Sequence, residues 1–340
     1  MECLRNISVA FLNAIDTNKN LLLDSTAATG VRGIRYAKEA HIRNPVLIDI
    51  NSNAARNAKS NAKRNKVRAK VLNTSLQDFA NASREKFDIL DLDPFGSPAP
   101  YIYDALKLSK DGTILMVTAT DTAVLCGAHS SACVKQYGSL PLHNHLCKEV
   151  GTRILISHII RKAAEFNFGA EVLMGISDMH YMRVFLKLKA GAKQAYESII
   201  DNGFGSYCDK CTAFSYSKGI APRLSGLCNN CGSKTRAFGP IFLGALNDKF
   251  LVKKILGQEL GKEGEKLMKA IQEEYETPFF YSMPKLTRKI GTSSVPYAPI
   301  FKEISSKGYS ITRTEFDKDS VKTDAPLGEL IRAIKHAKEQ

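Results

Sequence analysis

Apolar positions recur along the chain in two alternating rhythms. Leu4 to Ile15 places Ile7, Val9, Phe11, Leu12 and Ile15 on one broad side and predicts an amphipathic helix. Short apolar runs follow at Leu21–Asp24, Pro45–Asp49, Phe87–Asp93 and Gly112–Asp121, with a third strand and its turn over Lys70–Phe79. Helical stretches separate them, at Ile34–Ala40, Ser52–Asn65 and Ala99–Leu108. Strands alternating with helices imply an α/β fold with a parallel, doubly wound sheet. A helix over Gly151–Phe166 leads into a hairpin, Ala170–Ile176 and His180–Leu188, and the alternation through Tyr181–Lys189 predicts an edge strand. That hairpin closes a first domain, 1–190. A smaller α+β unit, 191–340, reads as a long helix Lys249–Glu276, helices Ser282–Ile290 and Tyr297–Lys307, and a β-ribbon over Gly308–Phe316. Two helices and a ribbon form a winged-helix-like end, with Phe301, Ile304 and Tyr309 in its core.

Ligands of open α/β sheets gather over the carboxyl ends of the strands. Asp24, Asp49, Ser75 and Asp93 lie there. After Asp24 come Ser25, Thr26, Ala27, Ala28, Thr29 and Gly30, small residues that let backbone approach a cofactor at a helix N-terminus. The turn lacks the Gly-x-Gly-x-x-Gly fingerprint and the Lys-Ser/Thr of a phosphate loop, which weakens dinucleotide and triphosphate readings. Asp49 stands where an acid commonly accepts both hydroxyls of a ribose. The fourth strand ends in Asp93-Pro94-Phe95-Gly96. Proline stops further pairing and glycine frees the turn. A carboxylate, nearby carbonyls and one ring suit a planar heterocycle with an exocyclic amine.

Charge narrows the partner. The net charge of +14 and pI near 9.3 point to a polyanion, nucleic acid first. No apolar stretch reaches a membrane span and Met1 opens no signal pattern, so a cytoplasmic protein without membrane association is expected. The helix Ser52–Asn65 and its flank carry Arg56, Lys59, Lys63, Arg64 and Lys66 without an acid. Arg288, Lys289, Arg313 and Lys322 are further candidates to meet phosphates.

Of eight cysteines, Cys208, Cys211, Cys228 and Cys231 form Cys-x2-Cys-x16-Cys-x2-Cys. Two thiolate knuckles match tetrahedral Zn2+ in a structural ribbon at about 205–235, with no open position for catalysis. Cys126, His129, Cys133, His143, His145 and Cys147 crowd the connection 122–150, but no Cys-x2-Cys pair anchors a metal there.

The turn after Asp24 through Arg35, the stretch Asp91–Pro98, Val117–Asp121, Leu125–His129, Glu149–Leu155, Thr312–Thr314 and Lys322–Pro326 together resemble the archaeal and eukaryotic tRNA (guanine-26, N2)-dimethyltransferases. That family has a Rossmann-like class I methyltransferase sheet and uses S-adenosylmethionine. The resemblance spans nearly the whole chain. It implies methyl transfer to the exocyclic N2 of guanosine 26 in tRNA, giving N2-methyl- and N2,N2-dimethylguanosine. It implies Asp93, the Pro94 carbonyl and Phe95 as the catalytic set. Arg5, Arg32 and Asp49 are implied for the cofactor, joining Asp24 and Gly30 of the first turn, and the cysteine knuckles for zinc. The family's turn beside adenine matches Ser75-Leu76, where Ser75 replaces an acid that Asp78 stands close enough to substitute. Asn6 occupies a position where the family has aspartate. Family members also carry an upstream segment containing Phe-Tyr-Asn-Pro, outside this sequence. Two alternatives follow: a tRNA-binding protein with impaired catalysis, and an N6-adenine methyltransferase, which uses a similar acid-proline-aromatic turn.

Overall fold

A computed structural model describes residues 2–178, 180–292 and 295–339. The first half contains α1 (Glu2–Ala14), β1 (Leu21–Asp24), α2 (Val31–Glu39), β2 (Asn44–Asp49), α3 (Ser52–Arg64), β3 (Lys70–Asn73), α4 (Leu76–Ala82), β4 (Ile89–Leu92), α5 (Ala99–Lys107) and β5 (Ile114–Ala119). Then come α6 (Thr122–Leu125), α7 (Ser130–Tyr137), α8 (Cys147–Ala164), β6 (Phe168–Asp178) and β7 (Tyr181–Ala190). The remainder holds α9 (Ala192–Ile200), β8 (Asn202–Tyr207), β9 (Phe214–Lys218), β10 (Arg236–Phe242), α10 (Lys249–Leu256) and α11 (Gly261–Glu273). It ends with β11 (Tyr281–Ser282), α12 (Met283–Lys289), α13 (Tyr297–Ser306), β12 (Ile311–Arg313), β13 (Ser320–Thr323) and α14 (Leu327–Glu339).

The main sheet has seven strands in the order β3-β2-β1-β4-β5-β7-β6. β1 to β5 run parallel, and β7 is antiparallel to both neighbours. This is the doubly wound, Rossmann-like arrangement expected from the alternating strands and helices. The register sets Asp24 beside Leu47 and Asp91, and Asp49 beside Asn73, so Asp24 and Asp91 are level and Asp49 and Asp93 each stand two residues further along.

Side chains from both faces build the core. On one face α4, α5 and α8 cover Leu23, Leu90, Leu115 and Val117. On the other, α1 lays Ile7, Phe11 and Leu12 against Leu22, Ile89, Met116 and Phe185, and α10 and α11 add Val252, Ile255, Met268 and Ile271 to the same cluster. Helices from beyond residue 190 therefore complete the sheet's own cover. A separate core joins α12, α13 and α14 to the three-stranded sheet β11-β13-β12. It includes buried Ile304, with Phe301 and Tyr309 packed on it.

Several sequence expectations need correction. Tyr181–Lys189 is not the edge strand: β7 lies between β5 and β6, and β6 takes the edge. Its alternation misleads because the polar member, Arg183, is buried and neutralised. Residues 76–82 are helix, started by the Ser75 hydroxyl capping the Asp78 N–H at 3.0 Å. The helix expected over Lys249–Glu276 is broken after Leu256, where Gly257 caps α10 and Gly261 adopts φ +73°. The connection 122–150 holds α6, α7 and the first turn of α8, and α14 was not anticipated.

Gly33 fixes how tightly α2 lies on the sheet, since a Cβ there would sit 2.1 Å from Leu47 Cδ2 and 3.3 Å from Asp24 Oδ2. Replacing Gly33 by Ala gains helix propensity but overpacks this contact. The expected outcome is a loss of about 1–3 kcal/mol in denaturant unfolding; stability at or above the wild type would show that α2 is free to shift outward.

Candidate active site

The loop between β1 and α2 is fixed by its neighbours before any ligand arrives. Asp91 O accepts from the Ser25 N–H at 3.0 Å and the Ser25 hydroxyl at 2.8 Å. The Asp93 N–H donates to Thr26 Oγ1 at 3.1 Å. Asp49 spans the next gap, one oxygen accepting from Ala28 N–H and the other from Asn51 N–H, both at 2.8 Å. Each oxygen keeps acceptor capacity for a hydroxyl. Gly30 (φ +77°) ends the loop so close to α3 that a Cβ would lie 3.1 Å from Ala58 Cβ. Ile50, directly after Asp49, is 76% exposed.

Beneath this loop is a buried charge network. Asp91 and Arg183 are both 0% exposed and joined at 2.9 Å. Tyr36 OH donates to the other Asp91 oxygen at 2.7 Å. Arg183 also donates through Nε to Ser8 Oγ at 3.1 Å and through Nη1 to Thr118 Oγ1 at 2.6 Å. Arg32 reaches across from α2, with Nη2 2.6 Å from Asp93 and Nη1 3.8 Å from Asp91. The buried Nη1 makes no hydrogen bond. Desolvation works to lower the Arg32 pKa, but Asp91, Tyr36 and Asp93 outweigh it and raise it. Asp24 is buried beside this network and accepts from Gly33 N–H at 3.1 Å. Burial, then the Asp91 charge, pushes its carboxyl up to about 7 against the opposing pull of Arg32 and the Gly33 N–H.

The turn after β4 has a buried and an open part. Pro94 is buried and the Asp93 side chain is 22% exposed, whereas Phe95 is 96% exposed. Such a ring contributes almost nothing to the core. The turn is nevertheless held in place. Gly96 (φ +80°) donates from N–H to Thr120 Oγ1 at 2.7 Å and accepts from Thr120 N–H at 3.0 Å. Ser97 Oγ donates to Tyr137 OH at 2.7 Å, and Tyr137 OH bonds Asp121 at 2.9 Å. Sequence reasoning missed Arg183, Tyr36, Thr120 and Tyr137. Arg183 left one trace, a lone charge among the apolar residues Met182, Val184, Phe185 and Leu186.

Thus Asp24, Gly30, Arg32, Asp49, Asp93, Pro94 and Phe95 all belong to one end of the sheet. Arg5 is half-buried on α1, three residues before Ser8 and on the same helical side. Ser75 donates its hydroxyl to Asp78 at 2.6 Å, and the Leu76 side chain is packed in the core with Phe79. Asp78 is thereby tied to the α4 cap. Asn6 donates to Leu260 O at 3.3 Å and accepts from Arg35 Nη1 at 2.8 Å. An aspartate has no donor for the first bond, so the amide suits this packing.

The four knuckle cysteines bring their sulfurs within 4.8 Å of one another. Cys208–Cys231 and Cys211–Cys228 are separated by 3.6 and 3.4 Å. Disulfide sulfurs would lie at about 2.05 Å, whereas a tetrahedron of Zn–S bonds of about 2.3 Å has edges of about 3.8 Å. The donor set fits a closed tetrahedral metal site. Lys289 is spent on this knuckle, donating to the carbonyls of Asp209 (2.8 Å) and Lys210. Arg313 stacks on Tyr297, with its guanidinium carbon 3.3 Å from the ring centre. Lys322 is not a phosphate contact: it is buried, 2.5 Å from Glu274 and 3.4 Å from Glu149. Glu149 also holds Arg153 at 2.8 Å and accepts the Phe279 N–H at 2.9 Å, tying α8 to the C-terminal unit. Burial would raise the Glu149 pKa; Lys322 and Arg153 outweigh it and hold the group lowered.

The family model described as N2,N2-dimethylguanosine tRNA methyltransferase matches residues 1–335. A tRNA (guanine(26)-N(2))-dimethyltransferase of Pyrococcus horikoshii is 35% identical, the match covering 97% of this chain and 90% of that protein. One of Thermococcus kodakarensis is 36% identical over 99% and 92% of the two chains. The solved structure of Trm1 from Pyrococcus horikoshii with S-adenosyl-L-methionine superposes with a TM-score of 0.90 at 33% identity, covering 98% of this chain and 92% of that one.

Asp24 carries a pH signature. Its folded-state pKa lies near 7, above the ordinary 3.8. The group therefore contributes stability that is full below about pH 4 and is lost as pH rises through 7. Asp24→Asn should remove that decline, so the gap between the two melting temperatures changes between pH 5 and 8. Parallel melting curves across that range would refute the burial-driven shift.

Proposed function

The chain belongs to the N2,N2-dimethylguanosine tRNA methyltransferase family, and from this premise we propose how its residues carry the reaction. The protein is an S-adenosylmethionine-dependent tRNA methyltransferase acting on N2 of guanosine 26, forming N2-methyl- and then N2,N2-dimethylguanosine. The observation that carries this is the family match over residues 1–335, which takes in both the acid-proline-aromatic turn and the C-terminal unit. Neither an adenine-N6 enzyme nor a binding-only protein is favoured by such a match.

S-adenosylmethionine supplies the electrophilic methyl group when bound over the β1 and β2 ends. Asp49 accepts the ribose hydroxyls with the acceptor capacity left beside its two backbone bonds. Gly30 and the small residues before it admit the cofactor close to backbone, and Asp24 and Arg32 line the same end, with Arg5 one turn from Ser8. We assign Ser75-Leu76 to the adenine side through backbone, since the Leu76 side chain is in the core.

The guanine must leave its stack to enter the site, at a cost of roughly a few kcal/mol. Phe95 returns part of that by stacking on the base. The N2 amine is a poor nucleophile because its lone pair is delocalised into the ring. Asp93 accepts one N–H and Pro94 O the other, which localises the lone pair and fixes its direction. Asp93 also faces the positive charge that develops on nitrogen and helps take up the released proton. Arg32 holds the Asp93 carboxylate in place at 2.6 Å. After one transfer and loss of a proton a single N–H remains, so one of the two acceptors serves a second round while the first methyl takes the place of the other N–H.

We assign Zn2+ to Cys208, Cys211, Cys228 and Cys231 as a structural ion, and the unit 191–340 to tRNA binding, with 1–190 carrying methyl transfer. Acting on tRNA, the protein works in the cytoplasm.

Incubation with unmodified tRNA transcript and S-adenosylmethionine, followed by nucleoside mass spectrometry, tests the assignment. Wild type should yield dimethylguanosine, and Asp93→Ala should lose about 100-fold or more in rate. Undiminished turnover in the mutant would remove Asp93 from the chemistry. Metal analysis of purified protein should find zinc at one per chain, with Cys208→Ser losing both the ion and thermal stability. A metal-free wild type with unchanged melting would exclude a structural zinc.

A further inference from the structure

We propose that the outward face of α3, continued to the start of β3, is a docking surface for the sugar-phosphate backbone of the tRNA substrate. The proposal rests on the reading of the protein as a tRNA methyltransferase and adds an RNA contact within residues 1–190, separate from the C-terminal unit.

Between Asp49 and Asp78 the chain has seven lysines and arginines and no acid, half of the formal charge of +14. Arg56, Lys59, Lys63 and Arg64 lie on α3 and Lys66, Arg68 and Lys70 follow it, and all seven are exposed. Elsewhere several surface cations of the described residues have an acid in reach, as Lys162 with Glu165 and Lys307 with Glu303. None of these seven enters an ion pair among the described residues, and no local acid exists to supply one. Like charges four apart, Lys59 and Lys63, weaken a helix. A surface shaped only for solubility would intersperse signs.

The helix itself is built to present this face. Its sheet side is Ala55, Ala58 and Ala62, small enough for close approach. Asn51 caps the start, accepting from the Asn53 and Ala54 N–H groups. Arg56, Lys59 and Lys63, at i, i+3 and i+7, project from one side over about 10 Å. A duplex presents about one charge per 1.7 Å of its axis, so several phosphates fall within their reach. The face is also in fixed register with the methyl-transfer end. Asn61 Nδ2 donates to Thr29 O at 2.9 Å, and Ala58 touches Gly30 of the cofactor loop. An RNA backbone seated here is therefore positioned relative to that loop by rigid contacts.

The test compares the triple variant R56A/K59A/K63A with a charge-matched control outside the C-terminal unit, K38A/K86A/K189A, whose three lysines are exposed. Alanine preserves helix propensity on α3, and circular dichroism checks folding of both. In the α3 variant the KM for tRNA should rise about tenfold, and the slope of log Kd against log salt should fall by about 2–3. Its kcat at saturating tRNA and its KM for S-adenosylmethionine should stay at wild-type values, and the control should bind tRNA as the wild type does. An α3 variant with wild-type tRNA binding and salt slope, or equal losses in both variants, overturns the docking surface. A wild type that binds tRNA salt-dependently yet methylates none overturns the functional reading instead, and the binding comparison still decides this proposal.

Discussion

The ion pair between Asp91 and Arg183 is the interaction on which the carboxyl end of the sheet depends. Both partners are removed from water, and burying such charges costs several kcal/mol each unless their hydrogen-bonding capacity is met. Here it is met by five elements at once: Ser8 from α1, Tyr36 from α2, Asp91 from β4, Thr118 from β5 and Arg183 from β7. The reversed strand β7 is thereby pinned beside β5 in one register. Asp93 lies two residues beyond Asp91 and shares its face of the sheet. Because Arg183 and Tyr36 already satisfy Asp91, Arg32 sits nearer Asp93 than Asp91. The Asp93 carboxylate is thus placed by Arg32, whose own position is set by an ion pair that Asp93 never touches.

What the sequence disclosed and what it hid divide along physical lines. β1, β2 and β4 were legible because each is a short apolar run closed by an acid, and β1 falls on Leu21–Asp24 as read. The knuckle cysteines were legible because their spacing is set by coordination geometry rather than by the surrounding fold. Arg183 was not, because a charge in an alternating strand ordinarily marks the solvent side, and its partners lie up to 175 residues away. Lys322 misled for the same reason: its partners, Glu149 and Glu274, are separated from it in the chain. Local signals that compete also blurred the reading. Ser75 and Asp78 look like turn residues, and the same chemistry caps a helix.

The C-terminal unit is not an appendage. Glu149 receives Arg153 from its own helix, Lys322 from β13 and the Phe279 N–H, three donors from two parts of the chain converging on one carboxylate. The cover of the sheet by α10 and α11 adds an apolar seam on the opposite face. Two dissimilar joints, one ionic and one greasy, resist relative rotation better than either alone. The winged-helix-like end consequently stands at a fixed distance from Asp93.

Phe95 shows what this rigidity permits. Its ring rests on a turn whose backbone is bonded to Thr120, so the native state is indifferent to what side chain is carried there. Any screen that ranks positions by folding stability, or any repair of the sequence toward a better-packed protein, would treat residue 95 as free to vary or as an aromatic to be removed from solvent. Folding places almost no constraint on such a position, and thermostabilisation of the scaffold can proceed around it without disturbing what the ring presents to solvent.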